Sequence, residues 1–284
     1  MTANSHPGAA TRRTCLQTIG FHLFLLVSLI LTLFPFVWML STSFKPSEEI
    51  LSGTLSLIPG SPTLEHYRNL FGAVNLFVNL WNSVIFSLVL TVLSVILNSM
   101  AAYAFAKLQF PRRERLFALL MMTMMVPGQV TMMPVFLILK SAGLLNSFAG
   151  LIIPGSVSVF GIFLLRQFMM EIPEEILEAA RMDGCSEIGV FWKIILPLSR
   201  PVIATLAVFT FIGAWNEFLW PLIIMLKESN YTLPVALANL NGQYNTDWGL
   251  LMAGSVLVVV PVIFVFLTAQ KHYMKGIAAG AGKE

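Results

Sequence analysis

Residues 19–40 read IGFHLFLLVSLILTLFPFVWML, a stretch without Asp, Glu, Lys or Arg. A helix needs about 20 mostly apolar residues to cross the hydrocarbon core of a bilayer, so this stretch is long enough to cross one. Arg12 and Arg13 precede it, as in a secretory signal. The apolar run is nevertheless too long for a signal peptide, and no small-residue cleavage site follows it. We therefore interpret the stretch as an uncleaved membrane anchor.

Five further apolar runs follow, bounded by charged residues or by Pro, Gly and Asn. The six predicted spans are residues 19–40, 80–105, 116–139, 150–168, 202–226 and 250–269. Pro127-Gly128 and Pro134 interrupt the third span, where either a packing kink, which we favour, or a bend that lines a pore would fit. The pattern predicts an all-α membrane protein with one six-span domain at residues 19–270, between tails at residues 1–18 and 271–284.

The composition agrees with a chain that faces lipid. Apolar residues make up 57% of the 284 residues and charged residues only 11%, against roughly 25% charged in an average soluble domain. This excludes a disordered chain and disfavours a soluble globule. The net charge is only +3 and the basic residues are scattered, which argues against a nucleic-acid-binding module. Cys15 and Cys185, with four widely spaced histidines, offer neither a disulfide framework nor metal-ligand spacing.

The distribution of positive charge predicts the orientation in the membrane. Most of the 17 lysines and arginines lie in the two tails, in the loop between the second and third spans, and in the segment after the fourth span. Such segments lie on the cytoplasmic side of bacterial membrane proteins. We therefore expect both termini to be cytoplasmic, which requires an even number of spans.

The most informative segment lies between the fourth and fifth spans, at residues 171–200, and reads EIPEEILEAARMDGCSEIGVFWKIILPLSR. Pro173 fits the first turn of a helix, and Gly184 can take the positive φ that ends one. A second short helix should follow, closed by Pro197. Its expected apolar face consists of Ile188, Phe191, Trp192 and Ile195. The segment predicts a cytoplasmic helix-turn-helix.

This helix-turn-helix could rest on lipid headgroups or dock onto a soluble protein. An interfacial helix normally presents Lys and Arg on its polar face. Here acidic side chains outnumber Arg181 and Lys193, and the anionic inner leaflet would repel them. The sign of the charge therefore favours docking onto a protein.

Within this segment, Glu178-Ala179-Ala180 is followed by Gly184 and then by Ile194-Ile195-Leu196-Pro197. The spacing resembles the EAA loop of the permease subunits of bacterial ABC importers. Nearly the whole chain is similar to the carbohydrate-uptake branch, in particular to the second, six-span permease of maltose-type importers. The other matching motifs are Ser43-Phe44-Lys45, Thr63-Leu64-Glu65-His66-Tyr67, Trp215-Asn216-Glu217-Phe218, and Lys275-Gly276 through Gly280.

The resemblance implies a mechanism and a set of partners. In that family the EAA helices insert into a cleft of a cytoplasmic ATPase, and closure of two ATPase subunits around ATP switches the permease from inward-open to outward-open. The implied partners are two ATPase subunits, a second homologous permease, an extracytoplasmic substrate-binding protein and membrane lipid, without nucleic acid. The residues implied in ATPase coupling are Glu178, Ala179, Ala180, Asp183, Gly184, Leu196 and Pro197.

A polar and aromatic cluster in the fifth span is the candidate translocation path or gate. It consists of Trp215, Asn216, Glu217 and Trp220. Polar groups are costly in lipid and should face a cavity, and aromatic rings can stack on the apolar faces of sugars. Alternatively, the two tryptophans could anchor the helix at the membrane interface, and the partner permease could make most of the substrate contacts.

The chain is not expected to be an enzyme. Gly282-Lys283-Glu284 resembles the end of a P-loop, but Ile277 stands where the first Gly is needed and Glu284 where a hydroxyl is needed. We therefore expect no catalytic residue, no bound cofactor and no metal site in this chain. ATP and Mg²⁺ would be used by the partner ATPase.

A sugar or a related polyol, imported across the bacterial inner membrane, is the expected cargo. Two alternatives remain: an ABC permease for a non-sugar solute such as glycerol phosphate, and an ion-coupled secondary carrier. Ion-coupled carriers need ionisable groups within the membrane. The predicted spans hold His22 and Glu217, with Lys107 and Lys140 near span ends, and Arg166 is counted with the segment after the fourth span. So few ionisable groups argue against the carrier.

Overall fold

The structure is a computed structural model that describes residues 8–53, 55–240 and 247–281, and their side chains except at 8–17, 269 and 271–281. The predicted tails at 1–18 and 271–284 therefore lie partly outside the described residues. The described part contains no β-strand. Its helices are α1 (Gly8–Thr42), α2 (Ser47–Leu51), α3 (Glu65–Ala73), α4 (Leu76–Lys107), α5 (Arg113–Met122), α6 (Gly128–Ser141), α7 (Phe148–Ile152), α8 (Val159–Met170), α9 (Glu174–Met182), α10 (Glu187–Val190), α11 (Leu196–Leu198), α12 (Arg200–Trp215), α13 (Leu219–Ile224), α14 (Leu233–Ala238) and α15 (Trp248–Ala281). Short 3-10 turns lie at Thr123–Met125 and Glu228–Asn230, and a π-helical turn at Phe191–Ile195.

The described residues fall into two compact units. The smaller unit draws on Met1–Leu70 and Gln243–Val256, and the larger unit on Phe71–Gly242 and Leu257–Glu284. The larger unit contains the predicted loop at residues 171–200 and the polar cluster of the fifth span.

In the smaller unit, two sequence motifs that are distant in the chain contact each other. The backbone N–H of Thr63 donates to the Phe44 carbonyl at 2.8 Å, and Nε2 of His66 donates to the Lys45 carbonyl at 2.7 Å. The Tyr67 hydroxyl lies 2.9 Å from the Ser43 hydroxyl. Together these hydrogen bonds hold the segment after α1 against α3.

Three of the predicted spans are long apolar helices. They are the stretch Thr18–Thr42 of α1, the whole of α4, and the stretch Trp248–Thr268 of α15. Each is long enough to cross the hydrocarbon core. Among the described residues, three helices meet the length and composition of a span, or up to five if each of two bent helix pairs is one span.

The third predicted span is a broken helix. The segments Arg113–Met125 and Gly128–Ser141 are bent by 101° relative to each other. Val126, directly before Pro127, is extended, because the proline ring disfavours the helical conformation of the preceding residue. Pro134 lies inside α6 without ending it. The break therefore falls at Pro127-Gly128.

The fourth and fifth predicted spans are also interrupted. In the fourth, α7 and α8 are separated by a turn that contains Pro154-Gly155, and the Ser158 side chain caps α8 by accepting from the Gly161 N–H. In the fifth, α12 ends at Trp215 and α13 begins at Leu219. These breaks do not show in the apolar runs, because length and hydropathy do not register local capping and proline effects.

Helix α4 packs against both α8 and α12 in the larger unit. One face of α4 carries small polar side chains that are buried: Ser83, Ser87, Thr91, Ser94, Asn98 and Ser99. Small side chains allow helix backbones to approach closely, and their hydroxyl and amide groups form hydrogen bonds with nearby atoms. Asn98 connects two helices, because its amide donates to the Ser94 hydroxyl at 2.7 Å and accepts from the Ser158 N–H at 2.9 Å.

The other end of α4 holds the segment between α13 and α14. The amide groups of Asn79 and Asn82 both donate to the Tyr231 carbonyl, each at 3.0 Å. The Ser83 hydroxyl accepts from the Leu233 N–H at 2.7 Å. Because side chains of α4 satisfy these backbone groups, the segment can lie in a fixed position although its only helical part is the short 3-10 turn at Glu228–Asn230.

Arg166, which the charge count assigned to a loop, lies within α8 and is buried. Its Nη2 donates to both carboxylate oxygens of Glu114 at 3.0 Å, and its Nε donates to the Phe105 carbonyl at 3.1 Å. The guanidinium also lies over the Phe117 ring, 4.0 Å from the centroid. A buried charge needs such partners, so Arg166 joins α8 to α4 and α5.

We predict that Gly161→Ala destabilises the protein by about 1–3 kcal/mol, the usual cost of overpacking. A Cβ at this position would lie 3.0 Å from a Leu206 methyl and 3.2 Å from the Asn98 amide nitrogen. Thermal unfolding in detergent measures the effect. Gly20→Ala in α1 is the matched control, because its Cβ meets nothing within 4 Å. Equal melting temperatures for the two variants would contradict close packing at Gly161.

Candidate functional site

The first half of the predicted helix-turn-helix ends as its sequence indicates. Gly184 has a φ of +79°. Its N–H donates to the Arg181 carbonyl and the Cys185 N–H donates to the Ala180 carbonyl, each at 3.0 Å. This pair of hydrogen bonds is the Schellman motif, which satisfies the last carbonyls of a helix. The prediction that Gly184 ends the helix is confirmed.

The second half differs from the predicted apolar face. Phe191 and Ile195 are buried, whereas Ile188 is 73% exposed and Trp192 is 51% exposed. An apolar pattern identifies a face of a helix but not which of its side chains face the rest of the protein. Val190 is buried in place of the two exposed side chains.

Pro197 does not close this second half, contrary to prediction. The helix continues through Leu198. The break comes at Ser199, where the segments Glu187–Leu198 and Arg200–Trp215 meet at 80°. Pro197 lies one residue before the end of the helix at Leu198, so its missing N–H removes only one hydrogen bond near the end of the segment.

A buried apolar cluster fixes the helix-turn-helix to the larger unit. The loop at residues 171–200 contributes five buried side chains to it: Ile172, Leu177, Val190, Phe191 and Ile195. Ala102 and Tyr103 of α4 belong to the same cluster, as does Leu165 of α8. The Tyr103 and Phe191 rings are 5.6 Å apart. Burial of this apolar surface stabilises the loop against the ends of α4 and α8.

A closed set of polar contacts, here called the polar ring, lies between the end of α4 and the loop and shares Tyr103 with this cluster. It consists of Tyr103, Glu187, Arg181, Glu174 and Lys107. The Tyr103 hydroxyl donates to Glu187 at 2.5 Å, and Nε of Arg181 donates to Glu187 at 2.8 Å. Nη1 of Arg181 donates to Glu174 at 3.1 Å, and the Lys107 ammonium lies 3.4 Å from Glu174. The hydrogen bonds from Arg181 to Glu187 and Glu174 raise the pKa of Arg181 above its usual value.

The structure places the predicted coupling residues at two depths. Those exposed on the outer surface of the turn are Glu178, Ala179, Asp183 and Gly184. The half-buried ones are Ala180, Leu196 and Pro197, of which Ala180 and Leu196 pack against the apolar cluster. Met182, 88% exposed, and Ile188, 73% exposed, are exposed apolar side chains of the same segment. The turn therefore offers carboxylates and apolar side chains together.

A cavity of about 490 Å³ forms where the broken helices of the larger unit meet. Gly128 and Gln129 come from the break in the third span, and Pro154-Gly155 from that in the fourth. Glu217 and Trp220 come from the break in the fifth. Phe86 and Leu90 of α4 line the same cavity. Irregular backbone at membrane depth is tolerated where it lines such a space, so the bend at Pro127-Gly128 forms part of the cavity wall.

Two of the four predicted path residues line this cavity, and two do not. Glu217 lines it and accepts from the Trp220 N–H at 3.2 Å, at the start of α13. Trp215 is buried elsewhere, and its indole N–H donates to the Val258 carbonyl at 3.0 Å. Asn216 is exposed and donates to the Ile212 carbonyl at 3.0 Å. Gln129 and Thr131, which the sequence did not single out, add polar groups to the wall.

The candidate site contains residues that sequence reasoning did not identify. Tyr103 and Glu187 are 84 residues apart in sequence, and no local pattern connects them. Arg181 and Glu174 are seven residues apart in the same short helix, so the sequence places them on one face, two turns apart, without predicting their contact. Within the described residues, no group of three or more His, Cys, Asp or Glu that could hold a metal occurs.

Comparison with known proteins gives the class. Residues 95–278 match the family described as "Binding-protein-dependent transport system inner membrane component". The chain belongs to this family, and it is therefore a multi-pass membrane transport component; the family is not a class of enzymes. A solved chain from a bacterial ABC transporter that imports the acidic polysaccharide alginate has the same fold, with a TM-score of 0.85, 24% identity, and coverage of 95% of this chain and 100% of that one.

Relatives along nearly the full length are permease proteins. An arabinooligosaccharide transport system permease protein of Halalkalibacterium halodurans is 35% identical over 94% of this chain and 96% of its own. A lactose transport system permease protein of Rhizobium radiobacter is 32% identical over 87% and 90%. An sn-glycerol-3-phosphate transport system permease protein of Brucella abortus is 32% identical over 90% and 94%.

We predict that Gly184→Val destabilises the turn by about 1–2 kcal/mol, because a β-branched residue is strained at positive φ. Limited proteolysis of the purified protein at residues 171–200 measures the effect. Gly184→Asn is the matched control, since asparagine tolerates this conformation far better. Equal cleavage of both variants and the parent would show that the turn does not need Gly184.

Proposed function

We propose that the chain is one permease subunit of an ATP-binding cassette importer that moves a sugar or related polyol across the inner membrane by alternating access. The observation that carries this proposal is the exposed surface of the helix-turn-helix, where carboxylates of Glu178 and Asp183 and apolar side chains of Met182 and Ile188 are all exposed. Such a surface suits the groove of a protein partner better than an anionic lipid surface. Family membership and the sugar permeases among its relatives support the cargo.

The proposed topology has six spans with both termini on the cytoplasmic side. It divides the chain into a cytoplasmic tail at 1–18, the permease domain at 19–270 with its coupling loop at 171–200, and a second cytoplasmic tail at 271–284. The excess of Lys and Arg in the tails and in the two cytoplasmic loops supports this orientation. Three of these spans are broken helices. Such breaks occur in membrane proteins where the backbone is shielded from lipid.

The coupling loop is proposed to bind a cytoplasmic ATPase, which uses ATP and Mg²⁺ while this chain binds no cofactor. Glu178 and Asp183 would meet cations of the ATPase, and exposed Ala179 and Gly184 would allow its backbone to approach closely. Ala180, Leu196 and Pro197 would support that surface from beneath. The full importer would contain two ATPase subunits, a second homologous permease and an extracytoplasmic substrate-binding protein.

The cavity is proposed to be this chain's part of the translocation path. Glu217 and Gln129 can hydrogen-bond to hydroxyl groups, and the Trp220 ring can stack on the apolar face of a sugar. Trp215 and Asn216 lie at the same helix break and would set its geometry or gate it. The lining residues of the described part include a carboxylate and neither Lys nor Arg, so a neutral sugar or polyol suits the cavity better than a phosphate ester.

We predict that Glu178→Lys weakens binding of the ATPase at least tenfold, because one hydrogen-bonded charge at such an interface contributes about 1.5–3 kcal/mol. Co-purification of the ATPase subunits with the tagged permease measures it. Glu175→Lys is the matched control, since Glu175 is also exposed on α9 and has no assigned contact. Undiminished co-purification with Glu178→Lys would refute docking through this carboxylate, and uptake by the permease without any ATPase would favour the secondary carrier.

We further predict that Trp220→Ala lowers sugar uptake roughly two- to tenfold, the usual value of one aromatic contact. Uptake of radiolabelled sugar into reconstituted vesicles that contain the whole importer measures the change. Trp81→Ala on the exposed face of α4 removes an equal ring outside the cavity and should leave uptake near the parent value. If the two variants transport equally well, Trp220 does not contact the cargo.

A further inference from the structure

The last turn of α4 contacts the helix-turn-helix at two points. Tyr103 and Lys107 lie four residues apart, and residues at this spacing share one face of a helix. Tyr103 donates to Glu187, at the start of α10, and Lys107 lies beside Glu174, at the start of α9. The Lys107 ammonium also donates to the Ile172 carbonyl at 2.6 Å. Both helices of the loop are thus attached to α4.

Arg181 closes the polar ring by joining the two attached carboxylates. Its guanidinium donates to Glu187 and to Glu174, and the planar group holds both in a fixed geometry. The two short helices are therefore attached to each other as well as to α4. A displacement of the turn would carry both helices and the end of α4 together.

Helix α4 extends from the polar ring to the cavity. Phe86 and Leu90, on the same helix, line the cavity wall. The route through the chain is less direct, because the connection from the loop to α12 bends by 80° at Ser199. A continuous helix transmits a displacement better than a bent junction, since its hydrogen bonds resist deformation.

We propose that Glu187 and Arg181 are positioning residues that fasten the coupling loop to α4 through Tyr103 and Lys107, so that movement of the loop reaches the cavity through α4. The inference rests on the proposed function, in which an ATPase moves the loop. It assigns to the polar ring the transfer of that motion, while the exposed turn around Glu178 provides the binding of the ATPase.

The test compares Tyr103→Phe with the parent in the complete importer, reconstituted in vesicles. The variant keeps the ring that packs on Phe191 and removes only the hydroxyl. We expect the ATPase to co-purify in normal amount and to hydrolyse ATP, while sugar moved per ATP hydrolysed falls about tenfold, the effect of one hydrogen bond to a charged group. The sugar concentration for half-maximal uptake should stay unchanged. Tyr67→Phe, whose hydroxyl bonds to Ser43 in the smaller unit, is the matched control and should not change this ratio.

Glu187→Gln tests whether the effect runs through the same contact. The double variant Tyr103→Phe with Glu187→Gln should lose less than the product of the two single losses, because both remove one interaction. An unchanged ratio of transport to hydrolysis in Tyr103→Phe would overturn the proposal, and so would loss of the ATPase, which would give the ring a purely structural role.

Lys107→Met serves if Tyr103→Phe does not reach the membrane, since it opens the polar ring at its other attachment. It should also lower transport per ATP with the ATPase still bound, and a normal ratio would overturn the proposal. Failure of the proposed function is recognised separately, because the parent itself would then bind no ATPase.

Discussion

The close approach of α4 to α8 and α12 is the constraint on which the larger unit depends. It is possible because the buried face of α4 is built from Ser, Thr and Asn instead of large apolar side chains. The hydrophobic effect contributes little to the association of helices in lipid. Their association is therefore stabilised by close van der Waals packing and by hydrogen bonds between polar groups. Asn98 illustrates both, since it lies under Gly161 and also accepts a hydrogen bond from the start of α8.

The three broken helices follow from the same need to satisfy backbone groups. A break in lipid would leave N–H and C=O groups without partners, at a cost of several kcal/mol each. Here the breaks are gathered around one cavity, and their ends are capped by Ser158 and Glu217. The helix breaks thus lie where a polar cargo could be accommodated.

The outward and inward sides of the helix-turn-helix use their charged residues differently. The outward surface around Glu178 keeps its carboxylates exposed, which leaves them available to a partner. The inward side uses its charges internally, with Arg181 held between Glu174 and Glu187. Exposed ion pairs contribute little to stability on their own, so the apolar cluster beneath them holds the loop, and the polar ring determines its orientation on α4.

The amino-acid sequence by itself determined the class of the fold, the unbroken spans at α1, α4 and α15, and the turn at Gly184. The spans depend on the length of apolar runs, and the turn depends on one glycine that can take a positive φ. Both can be read from residues that are close together in the chain. The tertiary structure decided that Ile188 and Trp192 face outward, that the helix breaks meet at one cavity, and that Tyr103 pairs with Glu187. Such contacts join residues far apart in the chain, and only the packing of helices against one another brings them together.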